Sequence, residues 1–360
     1  MKSIPSTSSS DRRYHTAYVI VLLLLFLSVG FMGVRQGSGN LEDNFYQKKL
    51  LIQNFNRIRL KLGDRVFNNV LVGKNGWMEY TGAKNLDDYQ NVEKFSPEAL
   101  QTTAQFIRDC HRYAEEHGFT FLVVVAPNKA SIYPDKLPEE IQPLSDLTRL
   151  DQLNNYLRSQ NIPETLDLRP ALRAARTQQD LYYKVGTHWN DSGAYIAYET
   201  IINSLSQEYP DLAPYSAKFL RFRNNPENMI SSADMGVASL IQANHLELEP
   251  TLFSTRNMED VYHQIGFALP LTVHSYHRVT WIPESGLPSL VIYHDSFGAA
   301  GLNNFLALNF SRGYYIHLDA SPLFLNRQAI EQFSPDVVIF EVVERNLQTL
   351  QYHLRGCAER

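Results

Sequence analysis

Residues 96–129, SPEALQTTAQFIRDCHRYAEEHGFTFLVVVAPNK, carry the pattern that decides the fold. Ser96-Pro97-Glu98 reads as a helix start, a serine N-cap followed by proline at the first helical position. Leu100, Ala104, Ile107, Cys110 and Ala114 then recur at helical spacing, which predicts one buried face. Gly118 ends the helix, as glycine does where the chain turns left-handed. Phe119 to Ala126 is a continuous valine-rich apolar run, the signature of a strand buried on both faces. Helix, glycine and buried strand together form the αβ half of a βαβ unit.

The same alternation extends along the chain. Helical spacing is present over 41–62, with Phe45, Leu51, Phe55, Ile58 and Leu62, and over 144–159, with Leu144, Leu147, Leu150 and Leu157. Thr165 to Leu168 is a short extended piece, and Pro170 starts the next helix. Asn190 or Asp191 caps a helix whose Ala194, Ala197, Tyr198, Ile201 and Leu205 form a single apolar stripe. Further buried strands are expected at Leu290–Tyr293, Tyr314–Leu318 and Val337–Val343. Val70 to Val72 is a short β-branched run stopped by the turn Gly73-Lys74-Asn75-Gly76. Residues 209–288 are less regular and are expected to form an insertion or lid. The fold class that follows is α/β, three layers around a mostly parallel sheet.

The N-terminus departs from this pattern. Residues 17–34, AYVIVLLLLFLSVGFMGV, hold no charge and just reach the length that crosses a bilayer. Lys2, Arg12 and Arg13 precede the run, and Glu42 and Asp43 follow it, which puts residues 1–16 in the cytoplasm and the body, residues 41–360, across the membrane. Ser28-Val29-Gly30 resembles a small-x-small cleavage site, but the apolar run continues through Phe31 and Met32, so an uncleaved anchor is the expectation over a signal peptide.

Composition narrows the function classes. The 360 residues carry a net charge of −5 with no basic cluster, which gives no footprint for nucleic acid. The eleven histidines are scattered, no H-E-x-x-H or cysteine cluster is present, and no metal is expected. No phosphate or dinucleotide glycine motif appears, so no cofactor is expected. Of the two cysteines, Cys110 is expected to be a buried thiol on its helix, and a bond to Cys357 is open only in an oxidising compartment. Tyrosine and phenylalanine, at 20 and 19 residues, are expected mainly in the core.

Ligands of open parallel sheets bind beyond the carboxyl ends of the strands, so the polar residues there are the candidates. They are Asn128 and Lys129 after the first buried strand, Asp167 in the short extended piece, and Asp295 and Ser296 after Tyr293-His294. Glu344 and Arg345 follow Val343. Ser296 is the candidate nucleophile and His188, just before a capped helix, its candidate base. Asn128 has an amide to offer an oxyanion. Lys129 and Arg345 suit a carboxylate on a substrate or a protein acid. Asp295 either holds its turn or takes part in the chemistry.

The segments Val72–Trp77 (VGKNGW), Val123–Pro138 (VVVAPNKASIYPDKLP), Tyr182–Tyr198 (YYKVGTHWNDSGAYIAY), Tyr293–Gly298 (YHDSFG), Leu306–Arg312 (LALNFSR) and Glu341–Leu347 (EVVERNL) resemble, in this order, the AlgX/AlgJ family. These are SGNH-hydrolase-like O-acetyltransferases of bacterial exopolysaccharide biosynthesis. The resemblance spans about residues 70–347 and implies a flavodoxin-like SGNH domain, anchored in the inner membrane or free in the periplasm. It implies acetyl transfer to polysaccharide hydroxyls through a serine ester, with Ser296 as nucleophile and His188 as base. It implies a polysaccharide acceptor and a multi-spanning membrane acyltransferase as acetyl supplier. The family's acid stands two residues before that histidine, where this chain has Gly186. A backbone carbonyl orients His188 in its place, or Asp167, Asp191 or Glu344 substitutes, or the chain binds polysaccharide without catalysis. A polysaccharide acetylesterase would use the same residues.

Overall fold

The computed structural model describes residue 20 and residues 48–216, 220–224, 250–254, 259–261, 278–282, 285–319, 325 and 327–357. The chain divides into two compact units. The first contains helix α1, Lys48–Lys61. The second begins at Arg65 and holds the sheet and the candidate site. Among the described residues no helix is long and apolar enough to cross a membrane. The apolar run at 17–34 lies outside them apart from Ile20.

Twelve strands are described. Strands β1 (Val66–Phe67), β2 (Val70–Val72) and β3 (Met78–Tyr80) form a small antiparallel sheet. The main sheet takes β4 (Thr120–Ala126), β5 (Leu166–Asp167), β8 (Glu259–Val261), β9 (Arg278–Trp281), β10 (Ser289–His294), β11 (Arg312–His317) and β12 (Val337–Val343), in the order β5-β4-β12-β10-β11-β9-β8. The first five are parallel, and β9 and β8 extend the β11 edge antiparallel. The remaining pair, β6 (Leu220–Asn224) and β7 (Pro250–Ser254), forms a separate antiparallel ribbon. The described strands within 209–288 therefore divide between that ribbon and the edge of the main sheet.

Alternation along each central strand builds two cores. Leu290, Ile292, Val124, Ala126 and Ile339 face one layer, and Val291, Tyr293, Val123, Val125 and Phe340 face the other. Helix α2 (Pro97–His117) and helix α3 (Arg149–Ser159) cover the second face. Helix α4 (Arg169–Ala175) and helix α5 (Asp191–Leu205) cover the first. A central strand buried on both faces has no polar alternation to keep, which is why its sequence is a plain apolar run.

The caps follow the local chemistry. Ser96 Oγ accepts from the Ala99 N–H, and Gly118 closes α2 at φ 74°. Helix α3 begins five residues later than the leucine spacing suggests. Thr148 and Asp151 form a reciprocal capping box, and Leu144 and Leu147 are left exposed outside the helix.

Cys110 is not a free thiol: it is bonded to Cys357 across a sequence separation of 247 residues, tying α2 to the C-terminal turn. The cross-link restricts the unfolded chain more than the folded one, and opening it is expected to cost ~2–4 kcal/mol. Guanidinium unfolding of the oxidised protein and of the Cys110→Ala/Cys357→Ala variant measures the difference. Equal midpoints would refute the expectation.

Candidate active site

Ser296 stands where β10 runs out. All six residues of β10 are buried, and the chain leaves it through His294 and Asp295 into a short helical turn. Asp295 holds that turn with both carboxylate oxygens. Oδ1 accepts the Phe297 N–H and Oδ2 the Val343 N–H, each at 2.8 Å. Glu341, one strand over, accepts the N–H groups of Asp295 and Gly298 through Oε2, both at 3.1 Å. Residue 298 must be glycine, because a Cβ there would come within 2.5 Å of the His294 Cβ. Of the N–H groups from 295 to 298, three are thus committed to carboxylates. The Ser296 N–H has no acceptor among the described residues and is the donor left for an oxyanion.

Glu341 carries no signal in the sequence beyond its place inside an apolar strand. It is fully buried, and its Oε1 meets no partner among the described residues. Burial first, then the neighbouring Asp295, push its pKa well above the usual carboxylate value. A group whose folded pKa is raised stabilises fully below its unfolded pKa, about 4.5 here, and loses that contribution as pH rises through the folded value. Glu341→Gln reproduces the protonated shape without titrating. The variant is expected to gain on the wild type in thermal stability as pH rises from about 4.5 toward the raised folded value. A difference independent of pH between 4 and 9 would contradict this.

His188 arrives from the other side of the sheet edge, on the loop that leads into α5. Its Nε2 lies 2.9 Å from Ser296 Oγ. The loop is fastened at several points. Tyr182 pairs with Trp189 in an isolated bridge, Leu181 donates its N–H to the Tyr133 hydroxyl, and Tyr182 donates its hydroxyl to the Pro127 carbonyl. Asn190 caps α5 through the Gly193 N–H. Trp189 is buried and its indole N–H is shared between the carbonyls of Phe297 and Ala300. This clamps the histidine loop directly to the nucleophile turn. Phe297 fills the space between, with its ring 4.8 Å from that of His188 and 5.1 Å from that of Trp189.

Lys129 is not placed to meet a substrate. It is 2% exposed, and its ammonium donates to the carbonyls of Met78, Tyr183, Lys184 and Gly186. It is a strut under the histidine loop. Gly186, where the family pattern calls for an acid, instead presents its carbonyl to this ammonium at 2.6 Å.

Asn128 is likewise enclosed. Its amide donates to Asp88 Oδ2 at 2.7 Å and accepts from Arg345 at 3.2 Å, and the residue has no exposed surface. Its expected place in an oxyanion hole gives way to a structural one. Asp88 also takes Arg149 at 2.6 Å, yet burial and the nearby Glu344 outweigh that cation and push its pKa up to about 7. Arg345 stacks near the rings of Phe297 and Tyr80, 5.5 and 5.6 Å from their centroids. Its one described side-chain hydrogen bond goes to Asn128, so guanidinium N–H groups beside Phe297 remain uncommitted.

The three substitute acids separate clearly. Asp167 is spent on Arg169, with contacts of 2.8–3.0 Å. Glu344 accepts the Asn128 N–H, the Ser131 hydroxyl and Arg169. Neither touches His188. Asp191 opens α5 three residues after His188, and its carboxylate would stand 3.1 Å from a Cβ at Gly301, beside the nucleophile turn. Among the described residues, no group of three His, Cys, Asp or Glu side chains is arranged to hold a metal.

The couple and the unclaimed Ser296 N–H, set against the buried Phe297, form an arrangement suited to acyl transfer. Comparison with known proteins bears on which kind. The model of a family described as an SGNH hydrolase-like domain, acetyltransferase AlgX, matches residues 70–263, a range that takes in Asn128 and His188 and ends before Ser296. The chain is 24% identical over 169 residues to the probable alginate O-acetylase AlgJ of Pseudomonas syringae pv. tomato, a match that covers 47% of this chain and 41% of that protein. The chain thus spans about two fifths of the length of this relative. Among solved structures, PatB1 of Bacillus cereus has a TM-score of 0.56 at 18% identity, with 79% of this chain and 99% of that one covered. A DHHW family protein from Eubacterium siraeum has a TM-score of 0.53 at 13% identity, with 82% and 97% covered. These two share the fold.

Proposed function

The chain belongs to the SGNH hydrolase-like AlgX acetyltransferase family, and from that premise we propose that it moves acetyl groups onto the hydroxyls of an exopolysaccharide through an ester on Ser296. The 2.9 Å contact between Ser296 Oγ and His188 Nε2 is the observation that carries this reading. Ser296 Oγ attacks the carbonyl carbon of an acetyl ester and its proton passes to His188 Nε2. The donor's alcohol leaves with that proton. A sugar hydroxyl then attacks the acetyl-serine, gives its proton to His188, and Ser296 regains it as the new ester departs. The Ser296 N–H and the Arg345 guanidinium stabilise the charge that gathers on the acetyl oxygen. Asp191, three residues after His188 and beside the nucleophile turn, is the carboxylate assigned to steady the imidazolium.

The disulfide supports an oxidising location for the body, and the uncharged run at 17–34 supports an anchor in the inner membrane with the body in the periplasm. A multi-spanning membrane acyltransferase is the proposed acetyl supplier.

Incubating the purified full-length chain with an activated aryl acetate, followed by peptide mass spectrometry, is the test. An acetyl group on the Ser296 peptide is expected. No label on Ser296 with any of several acetyl esters would overturn the reading in favour of a non-catalytic polysaccharide-binding subunit, which the absence of an acid at Gly186 favours. Water as the final acceptor even with saturating oligosaccharide would make the protein an acetylesterase. Asp191→Asn is expected to lower the deacylation rate by roughly 10²–10⁴, as loss of a histidine-orienting carboxylate does. An unchanged rate would leave a Ser-His dyad.

A further inference from the structure

A cavity of about 470 Å³ opens at the carboxyl edge of the sheet, beyond β4, β5 and β12. Its volume falls in the range of about 300–1,000 Å³ typical of small-ligand sites. Glu344, the residue after β12, is one of its lining residues. The Val343 N–H just before it is bonded by Asp295, the neighbour of Ser296. Cavity and nucleophile therefore stand at neighbouring strand ends, and adjacent strands are spaced about 4.8 Å apart.

The walls are rich in acceptors. Asp88, Asp151, Asp167 and Glu344 line the inner part, and the guanidinium of Arg169 is already shared among Asp151, Asp167 and Glu344. Asp146 lies exposed at the rim with no ion pair among the described residues. Arg173, the other cation of the lining, donates to the Ser131 carbonyl. With Arg149 paired to Asp88 behind the wall, five carboxylates thus face three guanidinium groups.

Two further side chains have capacity unspent. Tyr89 is half-buried in the wall, and its hydroxyl has no partner among the described residues. Asn91 is 6% exposed, and its Oδ1 likewise has none. Pro134, Pro143 and Pro170 supply apolar surface between these polar groups. Apolar patches and an aromatic ring beside many acceptors suit a sugar, whose C–H faces are apolar and whose rim donates hydrogen bonds. The excess of carboxylates repels a sugar that bears its own.

We propose that this cavity is the acceptor subsite, and that it takes a sugar segment without carboxylates, bound through hydroxyl or ammonium donors. The assignment rests on Ser296 being the acetyl carrier. A polymer seated in the cavity runs along the strand ends toward Ser296, which brings a hydroxyl of a neighbouring unit to the acetyl-serine.

The test is binding of short oligosaccharides to the full-length chain, by saturation-transfer NMR and calorimetry, with no acetyl donor present. Three probes are used: a neutral glucan oligomer, a glucosamine oligomer and a uronate oligomer. The first or second is expected to bind at least tenfold more tightly than the uronate, which separates neutral from cationic acceptors. Tyr89→Ala is expected to weaken that binding about tenfold, the scale of one hydrogen bond and one ring contact. Asp146→Lys, at an exposed position, is expected to weaken the glucosamine oligomer and to improve the uronate. Equal or tighter binding of the uronate to the wild type would overturn the proposal, as would binding indifferent to both variants. Acetyl labelling of Ser296 by an aryl acetate is measured in the wild type alongside. Sugar binding without Ser296 labelling would sink the acetyl-carrier reading and leave a sugar site. Labelling without sugar binding would do the reverse.

Discussion

Ser296→Ala is expected to end acetyl-enzyme formation and to slow acetyl transfer roughly a million-fold, about 8 kcal/mol of transition-state stabilisation. The magnitude follows from the geometry. Ser296 Oγ and His188 Nε2 share one hydrogen bond, so the serine is a weak nucleophile without the base and the base has nothing to deprotonate without the serine. Groups that act as a unit are not additive. His188→Ala is expected to lose as much as Ser296→Ala, and the double variant no more than either alone. The residual rate reports what remains, the Ser296 N–H and Arg345. Pre-steady-state release from an aryl acetate measures the first step directly: a burst in the wild type and none in the three variants. Single losses that multiply in the double variant would mean that the two residues act separately, and the couple would have to be abandoned.

The framework was legible in the sequence because it depends on local rules. The β4 and β12 segments, Thr120–Ala126 and Val337–Val343, are buried on both faces and so are written as unbroken apolar runs. The antiparallel strands β8 and β9 were not legible, since short strands such as Glu259–Val261 and Arg278–Trp281 carry no unbroken apolar run. Ser296 and His188 were legible as residue types after a strand and before a cap. What positions them was not. Glu341 reads as an intruder in an apolar strand, and only β12 lying beside β10 shows that it collects the N–H groups of Asp295 and Gly298. Asn128 and Lys129 follow a strand, as binding residues do, yet they face inward. A sequence gives the position of a polar residue along the chain, but whether its hydrogen bonds are already taken depends on segments far away in number. Lys129 shows this best, since its acceptors lie some fifty residues to either side. The Cys110–Cys357 bond is a contact of the same kind, between two single residues with no local pattern.

Lys129→Met is expected to destabilise the fold by about 3–5 kcal/mol, the scale on which removal of one member of a buried ionic arrangement acts. It is also expected to lower acetyl transfer well beyond the loss of folded protein. The ammonium is the meeting point of two segments, the Met78 carbonyl from the small sheet and the Tyr183, Lys184 and Gly186 carbonyls from the histidine loop. Methionine fills the volume but donates nothing, so carbonyls buried beside it lose a donor, and each orphaned group costs ~1–3 kcal/mol. Glu79 shares the site. Burial already raises its pKa, and Lys129 is the largest influence that lowers it. Without the lysine Glu79 is expected to hold its proton to higher pH, and potentiometric titration of folded wild type and variant measures the difference. The catalytic loss follows from position, because Gly186 is two residues from His188 and has no side chain of its own to fix the loop. Arginine is not expected to rescue, since its planar fork cannot converge on carbonyls that surround a compact ammonium. The decisive comparison is made at a temperature where the variant is fully folded by circular dichroism. A kcat reduced roughly tenfold or more there, with acceptor KM unchanged, identifies Lys129 as the group that positions His188 in place of the absent acid. A folded variant with wild-type kcat would return Lys129 to a purely stabilising part and leave the orientation of His188 to Asp191 alone.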